Sequence, residues 1–306
     1  MSKRRVNKRR RRDNRIGALF AVSPLIGFFL FGMLPLVFSV VLSFGKLPTF
    51  DLFDIRFCGL DNYRRIFTED TAFLKSIGNT FLYAFISVGG SVTLSLLLSV
   101  LLGRITACGK VIRVILFIPY VCSVVAVSTM WKWLFDYNYG VLNDVMEFLG
   151  LARMNWLGDG STAMLVMILM SIWSGLGYNM ILYTAALNAV NRTYYEAAKL
   201  DGASSRKIFF SITLPVISPT TFFLVVMGFI GALQSFANFQ VMTPTGGPDG
   251  STWTMVLRVW YVGFVEDSSR YGMGYASAMS WIVGGLVMVL TAVLFGFSGR
   301  WVHYDT

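Results

Sequence analysis

The sequence has little charge for its length. Only 14% of its 306 residues are Asp, Glu, Lys or Arg, against about 25% in an average soluble domain. It has one histidine and three cysteines, and no CxxC pair, so neither a metal cluster nor a disulfide framework is predicted. The sequences HExxH, GxSxG and Walker A do not occur, and these carry zinc proteolysis, serine hydrolysis and ATP hydrolysis. The chain is therefore expected to be no enzyme and to bind no cofactor of its own.

Long apolar runs make up most of the chain and predict an all-α integral membrane protein with six transmembrane helices. The alternative for the first run is a signal peptide, but the run is too long and lacks a small-residue cleavage site. An external loop with a short surface helix is predicted at 242–270. The predicted order is a basic arm (1–15), a first span (16–44), an external segment with an amphipathic helix (45–76), a core (77–300) and a tail (301–306). The five spans of the core are predicted at 77–102, 111–134, 161–190, 215–241 and 271–299, with a polar loop at 191–214.

The distribution of charge predicts the orientation of these spans. With six spans, both termini and the loop 191–214 lie on one side, which would hold 17 of the 26 basic residues and 4 of the 16 acidic ones. Basic residues concentrate on the cytoplasmic side of membrane proteins, so both termini are predicted to be cytoplasmic. The arm 1–15 is expected to lie near anionic lipid headgroups. Nucleic-acid binding is the alternative for this arm, but a basic run flanking a membrane span explains it more simply.

The polar loop after the fourth span is the most informative stretch of the sequence. Residues 195–215 read YEAAKLDGASSRKIFFSITLP. Good helix formers continue to Leu200, and Asp201-Gly202 then predicts a turn because glycine reaches backbone conformations that other residues avoid. A helix can resume at Ala203, and another is predicted to begin at Leu214-Pro215. The composition indicates two short helices joined by a turn, too polar to cross the membrane.

This loop resembles the cytoplasmic loop of importer-type ABC permeases. The family pattern is Glu-Ala-Ala, three residues, Gly, nine residues, Ile, one residue and Leu-Pro, and all seven specified residues occur here at these spacings. An ordinary amphipathic loop is the alternative interpretation. The resemblance implies a coupling helix that docks on a separate ATPase dimer, which uses ATP and Mg. The residues that it implies for this coupling are Glu196, Ala197, Ala198, Asp201, Gly202 and Ala203.

Other segments resemble the carbohydrate-uptake permeases within that family. They are FCGLDNYRRIF before the second span, the run from FIPYV to YGVLN, and the NWLGD that follows it. The resemblance covers about residues 57–301. It implies the type I ABC importer permease architecture, a second and non-identical permease, and an extracytoplasmic solute-binding protein. It also implies a bacterial cell membrane location and a di- or oligosaccharide as cargo, with glycerol phosphate and other polyols as alternatives.

Polar residues inside the apolar spans are candidates for the route of the solute, because unpartnered polar groups there are costly. Gln234 and Asn238 are spaced i, i+4 and are predicted to share one face of the fifth helix. Ser235 and Asn179 complete the set of candidates. Hydrogen bonding between helices is the alternative role for all four residues.

Three other functions are alternatives to a carbohydrate importer. An ABC permease for an amino acid, peptide or ion would keep the fold. A secondary transporter or channel would usually show an inverted repeat or buried ionisable residues, and neither is evident. A membrane enzyme would need a nucleophile or metal motif, which is missing. The sequence therefore favours an ATP-driven importer subunit for a carbohydrate.

Overall fold

The computed structural model describes residues 16–17, 19–47, 55–103, 108–266 and 272–303, and almost all of their regular structure is helical. The predicted basic arm (1–15) and residues 304–306 of the tail lie outside the described residues. Two short strands, β1 (Gly45–Lys46) and β2 (Arg56–Phe57), pair antiparallel. The helices are α1 (Leu19–Ser43), α2 (Asp61–Thr68), α3 (Thr71–Gly103), α4 (Cys108–Val121), α5 (Val124–Leu134), α6 (Val141–Phe148), α7 (Gly160–Ala189), α8 (Arg192–Leu200), α9 (Ser205–Val216), α10 (Ser218–Leu233), α11 (Ala237–Met242), α12 (Met255–Phe264) and α13 (Gly272–Ser298).

Six membrane spans can be formed from the described helices. Four helices, α1, α3, α7 and α13, are long and apolar enough to cross a bilayer singly. Two bent pairs supply the others: α4 with α5 at an angle of 102°, and α9 with α10 at 64°. The predicted third span, 111–134, is thus broken near its middle.

Two helices accommodate a proline with a π-helical turn. In α1, the turn Phe29–Met33 ends where the N–H of Leu34 donates to the carbonyl of Phe29, directly before Pro35. In α9, the turn Phe209–Thr213 precedes Pro215 in the same way. Proline has no N–H to donate and crowds the preceding turn, and a wider turn relieves both problems locally.

The chain divides into two compact units. The described residues of Met1–Arg65 and Val262–Trp281 form one, and those of Ile66–Tyr261 and Ile282–Thr306 form the other. In the first unit, the side-chain amide of Asn62 on α2 donates to the carbonyls of Ser43 and Gly45 at 2.9 and 3.0 Å. These bonds fix α2 to the end of α1, and the predicted amphipathic external helix corresponds to α2.

The core of the second unit is built around α3 and α7, which pack along most of their lengths, with α4 and α10 against them. Serines hold the pair together: Ser95 Oγ donates to the carbonyl of Leu176 and Ser99 Oγ to that of Met180, at 3.2 and 3.1 Å. Small hydroxyl residues allow helices in a membrane to approach closely and to hydrogen-bond across the interface.

The fourth span is one continuous helix. The sequence has Gly175, Gly177 and Asn179 within it, and α7 continues through all three without a break. A methyl group at Gly177 would overlap the backbone at Leu116 and Phe117 of α4. The glycine therefore serves the close contact between two helices and leaves α7 intact.

The helix predicted on the surface of the external loop 242–270 is largely buried. Met255 and Leu257 of α12 are inaccessible to solvent, and Arg258 is only 6% exposed. Its guanidinium lies 3.5 Å from the carboxylate of Asp70, which is also buried. The apolar half of the segment explains the difference, because it packs into the protein and the buried cation has a carboxylate partner.

The described end of the tail packs on the fifth span. Val302 is buried with Phe222 and Val226 of α10. The N–H of His303 donates to Ser218 Oγ at 2.9 Å, and that hydroxyl donates to the carbonyl of Pro215 at 2.6 Å. The tail is thereby attached at the bend between α9 and α10.

Candidate functional site

The coupling segment, residues 191–216, begins with a capped helix. The side chain of Asn191 accepts a hydrogen bond from the N–H of Thr193 at 3.0 Å, which satisfies one of the free donors at the start of α8. Further on, Ser204 Oγ accepts from the N–H of Lys207 and caps α9. The two caps set the start of each helix, so two separate helices form here.

The turn between these helices depends on Gly202. Its φ is +72°, a conformation that residues with a side chain rarely adopt. The N–H of Ala203 donates to the carbonyl of Ala198 at 2.9 Å, and that of Gly202 donates to Lys199 at 3.0 Å. This pair of bonds is the Schellman arrangement that ends a helix with a left-handed residue.

The sequence-predicted coupling residues lie together at this turn. Glu196, Ala197, Asp201 and Gly202 are exposed, and Ala198 and Ala203 are half-buried. Leu200 was not among the predicted coupling residues, yet its side chain is 90% exposed at the end of α8. An exposed leucine beside alanines and glycine forms a small apolar surface suited to contact with another protein.

The two helices predicted after the turn form a single helix. One was expected to resume at Ala203 and another to begin at Leu214-Pro215, but α9 begins at Ser205 and continues through Leu214 and Pro215 to Val216. The π-helical turn absorbs the proline, so the helix does not have to restart there. Tyr195 and Thr213 are joined by a hydrogen bond of 3.2 Å, which connects α8 to α9.

Inside the membrane region, two spans are broken at places that face one cavity. The third span breaks at Cys122 and Ser123, between α4 and α5. The fifth breaks between α10, which ends at Leu233, and α11, which begins at Ala237. Gln234 and Asn238 were predicted to share a helical face, and this is wrong because the helix does not continue between them.

The cavity between these breaks, hereafter the route cavity, has a volume of about 340 Å³. Among its lining residues are polar side chains from three spans and one aromatic ring. No charged residue is among those that line it in the described part of the chain. The polar and aromatic groups are Tyr120, Cys122, Ser128, Ser171, Ser174, Ser235 and Asn238.

A chain of hydrogen bonds runs along one wall of the route cavity. Ser235 Oγ donates to Asn238 Oδ1 at 2.8 Å, and Asn238 Nδ2 donates to the hydroxyl of Tyr83 at 3.4 Å. That hydroxyl donates to Ser171 Oγ at 2.9 Å. Tyr83 is buried and was not singled out in the sequence, where it is one aromatic residue among many in an apolar run.

The other two candidate route residues lie elsewhere. Asn179 is half-buried, and its side chain donates to Ser91 Oγ at 3.4 Å, which is a bond between α7 and α3. Gln234 is exposed at the end of α10 and does not line the route cavity. Of the four predicted residues, the structure brings Ser235 and Asn238 together.

The loop between the third and fourth spans is organised by Asn143, which is fully buried. Its amide nitrogen donates to the carbonyls of Asp136, Tyr137 and Met154, at 3.0 to 3.3 Å. Its oxygen accepts from the N–H of Met154 and from the indole of Trp156, both at 3.1 Å. The loop is thus folded around one amide side chain.

Carboxylates hold the turns at both ends of that loop. Backbone N–H groups of Tyr139 and Asn138 donate to Asp136 and keep the pKa of its carboxyl below the ordinary value. At the other end, the N–H and hydroxyl of Ser161 donate to Asp159 and lower its pKa as well. Both carboxylates stay charged at neutral pH and fix the entry to the flanking helices.

Up to six apolar spans, an exposed polar segment with a glycine turn and a polar cavity at two helix breaks are features of a multi-pass membrane transport subunit. The chain belongs to the family described as "Binding-protein-dependent transport system inner membrane component", whose model matches residues 91–304. The predicted identity as a permease of the ABC importers and the predicted all-α membrane fold are confirmed, and the chain is a transport subunit rather than an enzyme.

Curated relatives and a solved structure agree with this assignment. The chain is 33% identical over 300 residues to the "Probable ABC transporter permease protein YesP" of Bacillus subtilis, covering 97% of this chain and 94% of the relative. It is 35% identical over 258 residues to the "Diacetylchitobiose uptake system permease protein NgcF" of Streptomyces coelicolor, covering 79% and 70%. A bacterial ABC transporter involved in the import of the acidic polysaccharide alginate has the same fold, with a TM-score of 0.80, 22% identity and coverage of 97% and 99%.

Proposed function

We propose that this permease serves an ATP-driven importer of a neutral carbohydrate, a di- or oligosaccharide. The observation that carries the proposal is the lining of the route cavity. Hydroxyl and amide groups can exchange hydrogen bonds with sugar hydroxyls, and the ring of Tyr120 can pack on a sugar face. The relative that is named for diacetylchitobiose uptake supports a saccharide of this size.

The same lining argues against a phosphorylated solute. A phosphate ester needs basic or metal partners when it leaves water, and none of the described lining residues is charged. Glycerol phosphate is supported by the family resemblance but not by this lining, so it is the second candidate. A carrier that works without an ATPase is disfavoured by membership of a binding-protein-dependent family.

The coupling segment supplies the mechanism. In this proposal a separate ATPase, using ATP and Mg, binds the surface around Glu196, Leu200 and Gly202. A second, non-identical permease completes the solute route, and an extracytoplasmic binding protein delivers the sugar. Movement of the docked segment passes through α9 to the 64° bend and tilts the fifth span between two states.

The test is the complex that co-purifies with this chain in mild detergent, reconstituted into vesicles. We expect an ATPase and a second permease in the complex, and ATP hydrolysis that a neutral disaccharide or oligosaccharide stimulates together with the binding protein. Stimulation by sn-glycerol 3-phosphate and by no saccharide would refute the carbohydrate assignment. Isolation without any ATPase would refute the whole mechanism.

In the same vesicles, Asn238→Ala should lower saccharide uptake by about tenfold while the ATPase still co-purifies, because one or two hydrogen bonds to a sugar are lost in the cavity wall. Asn179→Ala is the matched control, since it removes an asparagine that bonds between helices outside the cavity. Equal uptake by the two variants would remove Asn238 from the route.

A further inference from the structure

A second cavity, of about 670 Å³, lies beneath the coupling segment and shares no lining residue with the route cavity. Its walls come from the end of α3, the start of α4, the end of α7, and both helices of the coupling segment. The cavity is therefore at the membrane end that the charge distribution assigns to the cytoplasm.

The lining of this cavity carries an excess of positive charge. Arg113, Arg192 and Lys199 contribute cations, and Glu196 contributes one carboxylate. The hydroxyls of Ser99, Tyr195, Thr184 and Thr213 are among the lining residues as well. Three cations and several donors around a single carboxylate leave room for a further anion.

Two polar atoms of the cavity have unused bonding capacity. The Nε of Arg113 and the Oγ1 of Thr184 are both buried, and neither has a hydrogen-bond partner among the described residues. Buried polar groups normally have a partner, because leaving one unmade costs free energy. Both atoms can donate to an oxygen of a bound anion.

An apolar groove adjoins this basic cavity. It has a volume of about 280 Å³ and is lined by Leu97, Val100, Leu101 and Phe209. Val100 and Phe209 belong to both linings, so the groove and the cavity are neighbours. Leu97 and Leu101 are each 56% exposed on a membrane span, at a spacing that places them one turn apart.

We infer that this site binds an acidic phospholipid of the cytoplasmic leaflet. The phosphate lies in the basic cavity near Arg113, and an acyl chain lies along Leu97 and Leu101. Free phosphate would leave the groove empty, and a neutral lipid would leave the cations uncompensated. A basic pocket between spans on the cytoplasmic side is the setting in which acidic headgroups bind.

The bound lipid would join elements that are otherwise tied by few contacts. Its headgroup touches the coupling segment through Arg192 and Lys199, while its chain touches α3. Acidic lipid would therefore hold the coupling segment at a defined height against the spans. The inference does not depend on the identity of the transported solute.

The test measures lipid affinity by native mass spectrometry of the full chain in its complex, with phosphatidylglycerol and phosphatidylcholine of equal chain length. We expect one phosphatidylglycerol bound about tenfold more tightly than phosphatidylcholine, as one charge-assisted hydrogen bond accounts for a factor of this size. Arg113→Gln should abolish the preference, and Leu101→Trp, which fills the groove, should weaken binding of phosphatidylglycerol. Arg300→Gln, at a basic residue of the same membrane end outside the cavity, should change neither value.

Several results would overturn the inference. One is equal affinity of the wild-type complex for the two lipids, which needs no variant and so is independent of folding. A second is an unchanged preference in a folded Arg113→Gln complex. A third is displacement of phosphatidylglycerol by millimolar inorganic phosphate, which would show that the groove plays no part. A fourth is phosphatidylglycerol that binds the isolated chain but not its complex with the ATPase, which would show that ATPase docking and lipid binding exclude each other.

Discussion

Gly202 is required for its backbone conformation and not for lack of space. Its φ is +72°, yet a Cβ at this position would meet no atom within 4 Å. A larger side chain is therefore opposed by backbone strain alone, about 1–2 kcal/mol for an ordinary residue in the left-handed region. Asparagine tolerates this region better than other residues with a side chain.

Gly202→Val should therefore lower saccharide-stimulated ATP hydrolysis by about tenfold, since roughly 1.4 kcal/mol of strain corresponds to that factor. Gly202→Asn should retain most of the stimulation. The measurement is ATP hydrolysis and uptake by the reconstituted complex, with the amount of protein in the membrane as control. Wild-type stimulation in the valine variant would show that the left-handed turn is not needed for coupling.

At the residue level, sequence motifs predicted the turn at Gly202. Residues whose role depends on contacts with distant parts of the chain, such as Asn143 and Tyr83, were not predicted. The turn at Gly202 follows from residues adjacent in the chain, so its spacing is visible. Asn143 and Tyr83 make their bonds to residues 6 to 13 and 88 or more positions away. Nothing local distinguishes either from other polar or aromatic residues, and only the packing of the loop and spans reveals them.

At the level of the helices, the close contact between α4 and α7 can be tested by substitution. A Cβ on Gly177 would overlap main-chain atoms of Leu116 and Phe117, which cannot move without shifting α4. Gly175, two residues earlier in α7, faces α3 instead, and a Cβ there would be in ordinary contact with Ser91 at 3.5 Å.

Gly177→Ala should consequently lower the thermal stability of the purified complex, by the 1–3 kcal/mol that overpacking of about this size costs. Gly175→Ala is the matched control and should leave the melting temperature close to that of the wild type. The measurement is thermal unfolding in detergent by intrinsic tryptophan fluorescence. If the two alanine variants melted at the same temperature, the close contact at Gly177 would be contradicted.

The breaks in the third and fifth spans were the part of the helical pattern that hydropathy could not predict. Apolar residues flank Cys122-Ser123 and the segment 234–236 on both sides, so each run looks like one helix with a few polar residues in it. Pro119 was visible in the sequence, but the bend comes after it, at Cys122 and Ser123. The helices that follow the two breaks, α5 and α11, pack on each other, and this contact between distant parts of the chain is not visible in a hydropathy pattern.

For the molecule as a whole, the orientation in the membrane stays a prediction from charge. Single-cysteine variants can test it. With Cys108 and Cys122 replaced by serine, Cys58 in the predicted external segment should react with an impermeant maleimide in sealed right-side-out vesicles. A cysteine-free chain carrying Ser204→Cys, in the exposed coupling segment, should react only after permeabilisation. The reverse pattern would place the coupling segment outside and exclude contact with a cytoplasmic ATPase.

The whole molecule also shows how much apolar surface the chain leaves uncovered. Only 6% of the most apolar window of α1 is buried, against 39% of that of α3. The sequence predicted both as spans with equal weight, because hydropathy reports transfer into a bilayer and says nothing of which helix is central. The burial of α3 comes from small residues at its contacts with α7: Ser95 and Ser99 donate to carbonyls of α7, and a Cβ on Gly90 would overlap Ile172.

Val302 and His303 are attached at the bend between α9 and α10, and this affects where another protein can be fused to the chain. A purification handle or fluorescent protein attached directly after His303 would lie close to the bend between α9 and α10. In the proposed mechanism this bend moves with the coupling segment, so the attached protein would hinder that movement.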